Sequence, residues 1–557
     1  MPRVGEVLWD VLVDWGVTHV FGIPGDSIDP LLDDLRKDTR LTFITVRHEE
    51  AGAFMASAYA KKTGRLGVCM GTAGPGAIHL INGLYDAKMD HAPVLAITGQ
   101  VSLGWIGTDY FQEVNILRVF DDVARYNYQV SDPRQIDVLA SMACRTALAE
   151  HGVAHLSFPF EVSAMKTTGH VRRFSVVPHA IDAIPTQDSL EAAARRINAA
   201  EKPVLLAGRG ARPYRSAVLD LVEKSAIPVV NTLPAKGVIP DSHPLALGGL
   251  GLLGAKPAHK AMETCDLCLL VGTSYPYLEF LPKHATMLQI DWEASQIGKR
   301  RAVDVGLVGS AEPTLRALAD LLVARHSSAF VTGLQQARQH WLQEVSEQAQ
   351  RRVKPDHPMH PQWVAERLSH LVDDDANVAV DVGNSLVWMA RNFRIRDQGW
   401  LVSAWLGSMG FGLPAAMAAK IAEPTRQSIA VVGDGAFTML MGDFVTAVRY
   451  RWPITVVVLN NSRLGMIKFE QEVHGMPEFG TGLTNPNFAQ YAEASGGQGF
   501  RVTHPDQLDS ALTEALHAKV ATIVDVLTDP DEKPLPPRIT AGQAVGYMQA
   551  LFKETFP

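Results

Sequence analysis

Four cysteines in 557 residues, at Cys69, Cys144, Cys265 and Cys268, are too few to staple a chain of this length. The fold must therefore hold itself together by burial, and unpaired thiols predict a reducing, cytoplasmic setting. No window approaches the roughly 20 uninterrupted apolar residues that a membrane-crossing helix requires. The start of the chain, with Pro2, Arg3 and Glu6, lacks the apolar run of a signal peptide. Basic blocks are missing too: the net charge is −8, which removes the electrostatic footing for nucleic acid. The pair Cys265-x-x-Cys268 has no second cysteine or histidine pair to complete a metal set. It opens the apolar run CDLCLLVG, so it reads as the entry to a buried strand.

What is present is alternation. Hydrophobic residues make up 47% of the chain and there are 45 glycines, enough apolar runs and turns for several α/β cores. In a first unit (1–182), Val20 to Phe21, Thr42 to Val46, Leu66 to Met70, Val94 to Thr98 and His155 to Phe158 read as strands. Helical patterns such as Glu49 to Lys62 separate them. Lys166 to Thr186, with scattered Thr, Gly, Pro and His, reads as a linker to a second unit (187–345). Its strands are expected at Val204 to Ala207, Pro228 to Asn231, Leu267 to Val271 and Met287 to Asp291. The polar run Gln335 to Pro358 reads as a long exposed helix and second linker, followed by a third unit (355–557). Strands alternating with helices predict an α/β protein of three doubly wound parallel sheets.

The most informative segment is GDGAFTMLMGDFVTAVRYRWPITVVVLNN, from Gly433 to Asn461, with Asp434 and Asn461 27 positions apart. It reads as a strand (Ser428 to Val432), a tight turn, a helix (about Phe437 to Arg449) and a second strand (Ile454 to Leu459). A βαβ unit runs its strands parallel and ends them on one edge. Asp434 and Asn461 thus bring two oxygen donors to one lip of the sheet. The helix after Gly435 aims free N–H groups at the same place, which suits a phosphate. A carboxylate, an amide oxygen, a diphosphate and water make a hard-cation site of the kind Mg²⁺ prefers. Near the N-terminus, Glu49 opens a helix ten positions before Tyr59. Taken alone, that carboxylate is a cap favoured by the helix dipole. Gly208-Arg209-Gly210-Ala211 is a poor dinucleotide fingerprint, because Pro213 stands where the third glycine belongs.

Together these segments resemble the thiamine-diphosphate (ThDP) dependent decarboxylases and oxidases, over essentially the whole chain. The resemblance implies pyrimidine-binding, central and diphosphate-binding domains in that order. It implies that Glu49 hydrogen-bonds N1′ of the aminopyrimidine and helps activate the cofactor. Asp434, Asn461 and the Arg463 carbonyl would hold Mg²⁺. Gly433, Gly435 and Ala436 would line the diphosphate, with the loop Val382-Gly383-Asn384-Ser385 on its other side. The Gly407 carbonyl would accept the 4′-amino group, and Met409 would wedge the cofactor into its bent shape. Glu49 and Asp434 come from different subunits in that family, which implies a homodimer or homotetramer.

The middle unit resembles the flavin domain of bacterial pyruvate oxidases in four pieces. These are Gly208, Gly210 and Ala211; Gly248 to Gly251; Gly272 and Thr273 with Tyr275 and Tyr277; and Gln289 to Asp291. Bound FAD is implied. Phe111 and Gln112, expected beside the substrate, match pyruvate oxidases and acetolactate synthases alike. Glu470 separates the two, since synthases have a Trp there and oxidases a Glu; by itself it reads as a solvated helix face. The tail, Pro534 to Ile539 and Ala544 to Phe552, resembles the approach to the lipid-binding segment of quinone-linked oxidases. Its short apolar stripe (Val545, Met548, Leu551, Phe552) is read as a docking face and not a membrane anchor. The expected activity is oxidative decarboxylation of a 2-keto acid, pyruvate first, to acetate or acetyl phosphate and CO₂, with electrons to quinone or O₂. The alternatives are a carboligase with an idle flavin and a non-catalytic ThDP-binding homologue.

Overall fold

The computed structural model describes residues 1–168, 183–350, 358–535 and 549–550. Most of the first expected linker and nearly all of the expected C-terminal helix lie outside these residues. Three six-stranded sheets follow one another along the chain. The first contains β1 (His19–Gly22), β2 (Thr42–Thr45), β3 (Gly67–Gly71), β4 (Val94–Gln100), β5 (Ala124–Gln129) and β6 (Val153–Pro159), in the order β2-β1-β3-β4-β6-β5. The second contains β7 (Pro203–Ala207), β8 (Val229–Asn231), β9 (Ala246–Gly249), β10 (Leu267–Val271), β11 (Thr286–Asp291) and β12 (Val305–Val308), in the order β12-β11-β10-β7-β8-β9. The third contains β13 (Asn377–Val380), β14 (Gly399–Val402), β15 (Ser428–Gly433), β16 (Thr455–Asn460), β17 (Gln498–Val502) and β18 (Thr522–Leu527), in the order β14-β13-β15-β16-β18-β17. Every pairing among these strands is parallel.

The first and third sheets exchange their last two strands, and each order reverses near its middle, between β1 and β3, between β7 and β10, and between β13 and β15. Chains leaving such a pair of strands go to opposite faces, so a crevice opens at their C-terminal ends. Small-residue turns sit at these three reversals. Gly25 and Thr72 to Gly76 follow β1 and β3, Gly208 and Gly272 follow β7 and β10, and Gly383 and Asp434 follow β13 and β15.

The helix Glu49–Thr63 joins the first unit to the third. Its Ala-rich sequence suits a helix, its acidic first turn and Lys61-Lys62 end complement the dipole, and Gly64 closes it at φ 69°. Residues 51–60 are all buried, so it has almost no solvent face. It packs on the helix Gly412–Ala422, which is likewise buried through residue 420. Phe54 meets Phe411 edge-on at 5.8 Å, a geometry that adds about 1 kcal/mol to the burial itself. Lys61 lies 4.5 Å over the same ring and pairs with Asp86 and Asp90 at 2.7 and 2.6 Å.

Two sequence readings are corrected. The helix expected from Phe437 to Arg449 is broken into Asp434–Leu440 and Phe444–Arg449, with a 3₁₀ turn, Met441–Asp443, between them. Asp443 is the reason, because its carboxylate turns inward to accept from the Arg47 amide at 2.8 Å and Thr446 Oγ1 at 2.8 Å. The expected exposed linker helix from Gln335 belongs to a longer one, Ala329–Gln350. Leu334, Trp341 and Val345 bury its inner face in a core of the middle unit. The Cys265–Cys268 reading stands. All four cysteines are free and buried, and burial pushes the Cys265 thiol up to about 12, so none offers a thiolate at neutral pH.

Candidate active site

The lip of the third sheet gathers the predicted oxygen donors. Gly433 pairs with Leu459 in register, which sets Asp434 beside the end of β16. Asp434 is 1% exposed, and desolvation raises its pKa, so the carboxylate gains from any cation placed against it. Its oxygens accept from Asn485 Nδ2 at 2.6 Å and from the Ser462 amide. The same Asn485 amide donates to Asn460 at 3.0 Å, tying the two strand ends together. Asn461 Oδ1 accepts from the Arg463 amide at 3.1 Å. Gly465 packs so closely that an added Cβ would lie 2.6 Å from Asn384 Nδ2 and 3.0 Å from Asn461 Nδ2. Asn384 is therefore drawn to the same place, and its Oδ1 is buried without a hydrogen-bond partner.

The loops on the other side of the crevice are held by Asp381, a residue that the sequence did not single out. Fully enclosed, its carboxylate accepts from Val382 N at 2.8 Å, Gly410 N at 3.0 Å and Gly412 N at 2.8 Å. Burial outweighs these bonds and lifts its pKa to about 6. One side chain thereby locks Val382–Ser385 to the Gly407–Pro414 turn. Gly383 (φ 120°) and Gly407 (φ 67°) face open space, since a Cβ on either would meet nothing. Met409 lies beside Gly435, its Cε 3.6 Å from where a Cβ there would sit.

Glu49, 7% exposed, begins its helix at the other end of the first-to-third contact. Its Oε2 shares a 2.9 Å hydrogen bond with His79 Nδ1, and the His79 ring stacks on His48 at 4.4 Å. Glu50 points elsewhere, accepting from Asn82 Nδ2 at 2.5 Å, and Asn82 also reaches Ser408 Oγ at 2.8 Å. Within one chain no hydrogen bond or ion pair among the described residues links Glu49 to Asp434, Asn461 or Asn384. Gln112, in the left-handed region at φ 61°, rests its carbonyl against Gly74, while Phe111 is 75% exposed. Glu470 lies on the exposed face of the helix Gly465–Val473, where the buried carboxylate is Glu472, paired with Lys533 at 2.8 Å.

In the middle unit, the turns after β7 and β10 touch backbone to backbone. A Cβ on Gly208 would fall 2.2 Å from the Gly272 carbonyl, and one on Gly272 (φ 60°) 2.6 Å from Gly210 C. Gly251 (φ 97°) approaches Tyr275, whose hydroxyl is buried without a partner. Asp291, buried at the end of β11, has its pKa raised by desolvation.

Three family models match the chain in order: the thiamine pyrophosphate enzyme N-terminal TPP binding domain over residues 2–119, the central domain over 190–318, and the C-terminal TPP binding domain over 381–526. The chain belongs to the thiamine pyrophosphate enzyme family. It is 45% identical to a thiamine pyrophosphate-containing protein of Bacillus subtilis, over 99% of this chain and 96% of that protein. It is 33% identical to a pyruvate oxidase of Lactiplantibacillus plantarum, over 96% and 89% of the two chains. A probable acetolactate synthase large subunit of Methanocaldococcus jannaschii is 31% identical, over 98% and 95%. No helix among the described residues is long and apolar enough to cross a membrane.

The residues present fit ThDP with Mg²⁺. A buried carboxylate short of positive charge, two amide side chains, one with an orphaned oxygen, and open backbone at Gly383 suit a divalent ion and a diphosphate. The middle unit fits an extended, partly aromatic ligand such as FAD, through its glycine contacts, the orphaned Tyr275 hydroxyl and the exposed Tyr277 and Trp292. His79, Asp381 and Asn485 escaped the sequence reading. Each acts through a partner remote along the chain, and only the Asn485-Pro486-Asn487 turn offered any local signal.

Proposed function

We propose that this thiamine pyrophosphate enzyme is a pyruvate oxidase-like oxidative decarboxylase, using ThDP, Mg²⁺ and FAD. Its products would be CO₂ with acetate or acetyl phosphate, and its electron acceptor a quinone or O₂. The middle-unit turns, where Gly208, Gly210 and Gly272 exclude side chains beside an unpartnered Tyr275 hydroxyl, support FAD, and the observation that carries oxidation over ligation is Glu470, exposed on the helix Gly465–Val473. ThDP when bound supplies a nucleophilic carbon and an electron sink, and FAD accepts two electrons. In this reading Asp434, Asn461 and the Arg463 carbonyl hold Mg²⁺, and Val382–Ser385, Gly433, Gly435 and Ala436 hold the diphosphate. Gly407 and Met409 orient the pyrimidine end. Glu49 would hydrogen-bond the pyrimidine end, and the 2.9 Å bond to His79 holds its Oε2 in place. A second copy would complete each site, since no hydrogen bond or ion pair among the described residues joins Glu49 to Asp434 within one chain. Exposed Trp105, Tyr110, Phe111, Met439 and Phe479 give the two halves apolar surface to bury against a partner. Phe111 and Gln112 shape the substrate pocket, and Glu470 would steer the decarboxylated product toward oxidation.

The second reading, a carboligase, rests on acetolactate synthases at similar identity. One anaerobic experiment separates them. The protein loaded with ThDP, Mg²⁺ and FAD is mixed with pyruvate while flavin absorbance and CO₂ are followed. Rapid bleaching with CO₂ release supports the oxidase. CO₂ with the flavin still oxidised moves the assignment to a carboligase, and no CO₂ overturns pyruvate as substrate.

A further inference from the structure

The segment that opens the third unit runs beside the loop that leaves β18. Met359 pairs in parallel with Thr528, and the Asp529 amide donates to the Met359 carbonyl at 2.9 Å. This sets His360 against residues 529–532. The His360 side chain is only 4% exposed, and neither ring nitrogen makes a hydrogen bond. Its Nδ1 nonetheless lies 2.9 Å from a Glu532 carboxylate oxygen. A ligand atom from each of His360, Asp529 and Glu532 falls within 4.8 Å of the other two.

The two atoms stand at the distance of an ion pair, without the alignment of a hydrogen bond, and the same spacing suits neighbouring ligands of one cation. With metal–ligand distances near 2.1 Å, neighbouring ligands stand about 3.0 Å apart in an octahedral site and about 3.4 Å apart in a tetrahedral one. The surroundings prepare such a site. Gln362 donates to the second Glu532 oxygen at 2.5 Å, orienting that carboxylate, while its own buried Oε1 has no partner. None of these residues belongs to the ThDP, Mg²⁺ or FAD sets.

We propose that His360, Asp529 and Glu532 bind a divalent transition-metal cation, Zn²⁺ or Mn²⁺. One imidazole with two carboxylates suits these ions, whereas Mg²⁺ favours oxygen ligands and retains its water. The cation would complete the buried imidazole. Its role is structural, clipping the first residues of the third unit to the loop from which the C-terminal tail departs.

The test uses the full-length holoenzyme, stripped with a chelator and reloaded with ThDP and excess Mg²⁺ so that the cofactor metal site is filled. Zn²⁺ and, separately, Mn²⁺ are then titrated by calorimetry, with bound metal counted after gel filtration. The expected result is one additional ion per chain and a raised Tm. Affinity should fall by on the order of 100-fold in Glu532→Gln and in Asp529→Asn. These loop variants keep the test valid if His360→Ala fails to fold. Absence of binding would leave a bare imidazole–carboxylate contact and overturn the proposal. Binding that is equal in wild type and both variants would do the same, placing the ion on other histidines.

Discussion

Replacing Gly272 with alanine should empty the middle unit of flavin while sparing ThDP. Two costs combine at this position. The backbone sits at φ 60°, where a side chain costs about 1–2 kcal/mol. The new Cβ would also lie 2.6 Å from Gly210 C and 2.7 Å from Ala211 N, backbone atoms that cannot rotate away. Forcing a methyl group into packed surroundings costs about 1–3 kcal/mol. The relief is for the turn after β10 to part from the turn after β7, which opens the cradle. If roughly 3 kcal/mol of this falls on FAD binding, the Kd rises on the order of 100-fold. Gly64→Ala is the matched control. Gly64 is also left-handed, at φ 69°, but a Cβ there meets nothing within 4 Å, so strain alone is added and FAD affinity should not move. The assay is flavin fluorescence quenching on titration into apoenzyme, with ThDP binding and circular dichroism measured in parallel. A folded Gly272→Ala variant that binds FAD as wild type does would refute the cradle.

Glu49→Gln should lower turnover on the order of 10²- to 10⁴-fold while ThDP affinity stays within a few-fold, measured by steady-state kinetics and cofactor titration. Near-normal turnover would remove Glu49 from the proton path. Glu470→Trp should shift products from acetate toward ligation, read by product analysis, and an unaltered ratio would end that residue's role in steering. Asp381 makes stability depend on pH with a definite sign. Its pKa is raised from 3.8 to about 6, so the folded protein holds that proton more tightly, and the stabilisation present below pH 4 is lost as pH rises through 6. The loss is about 3 kcal/mol. Urea midpoints between pH 4.5 and 7.5 should show a shallower decline in Asp381→Asn, and an unchanged decline would assign the slope to other groups.

The central strands were legible in the sequence because they are buried on both faces and read as unbroken apolar runs, as β10 (LCLLV) and β16 (TVVVLN) do. Those that escaped are mostly edges: β5, β9, β12, β14 and β17 each have a single neighbour. The edge strand β5, ARYNYQ, is mostly half exposed and alternates aromatic with polar side chains. The interior strand β18 was hidden by Asp525, a buried carboxylate that holds Asn460 at 2.9 Å and Arg501 at 2.6 Å. The candidate site was legible where its signal is local, as in the turns at Gly433 and Gly272. It was not legible where function comes from convergence. Asp381 ties together loops some thirty residues apart, and Asn485 joins two strand ends from a third position.

The nearly faceless helix Glu49–Thr63 also bears on how this molecule assembles itself. Its core includes Ala415 to Ala419 and Val456 from the third unit together with Phe21, Cys69 and Val94 from the first. The middle unit completes its cores with residues of its own. Divisions along the chain are therefore not divisions in folding. The first and third units form one cooperative block interrupted by an inserted, self-sufficient one, and the N-terminal unit must wait for the end of synthesis before its central helix is covered. Until then an alanine-rich face stays open to water, and the newly made chain is most exposed to aggregation during translation of the middle unit.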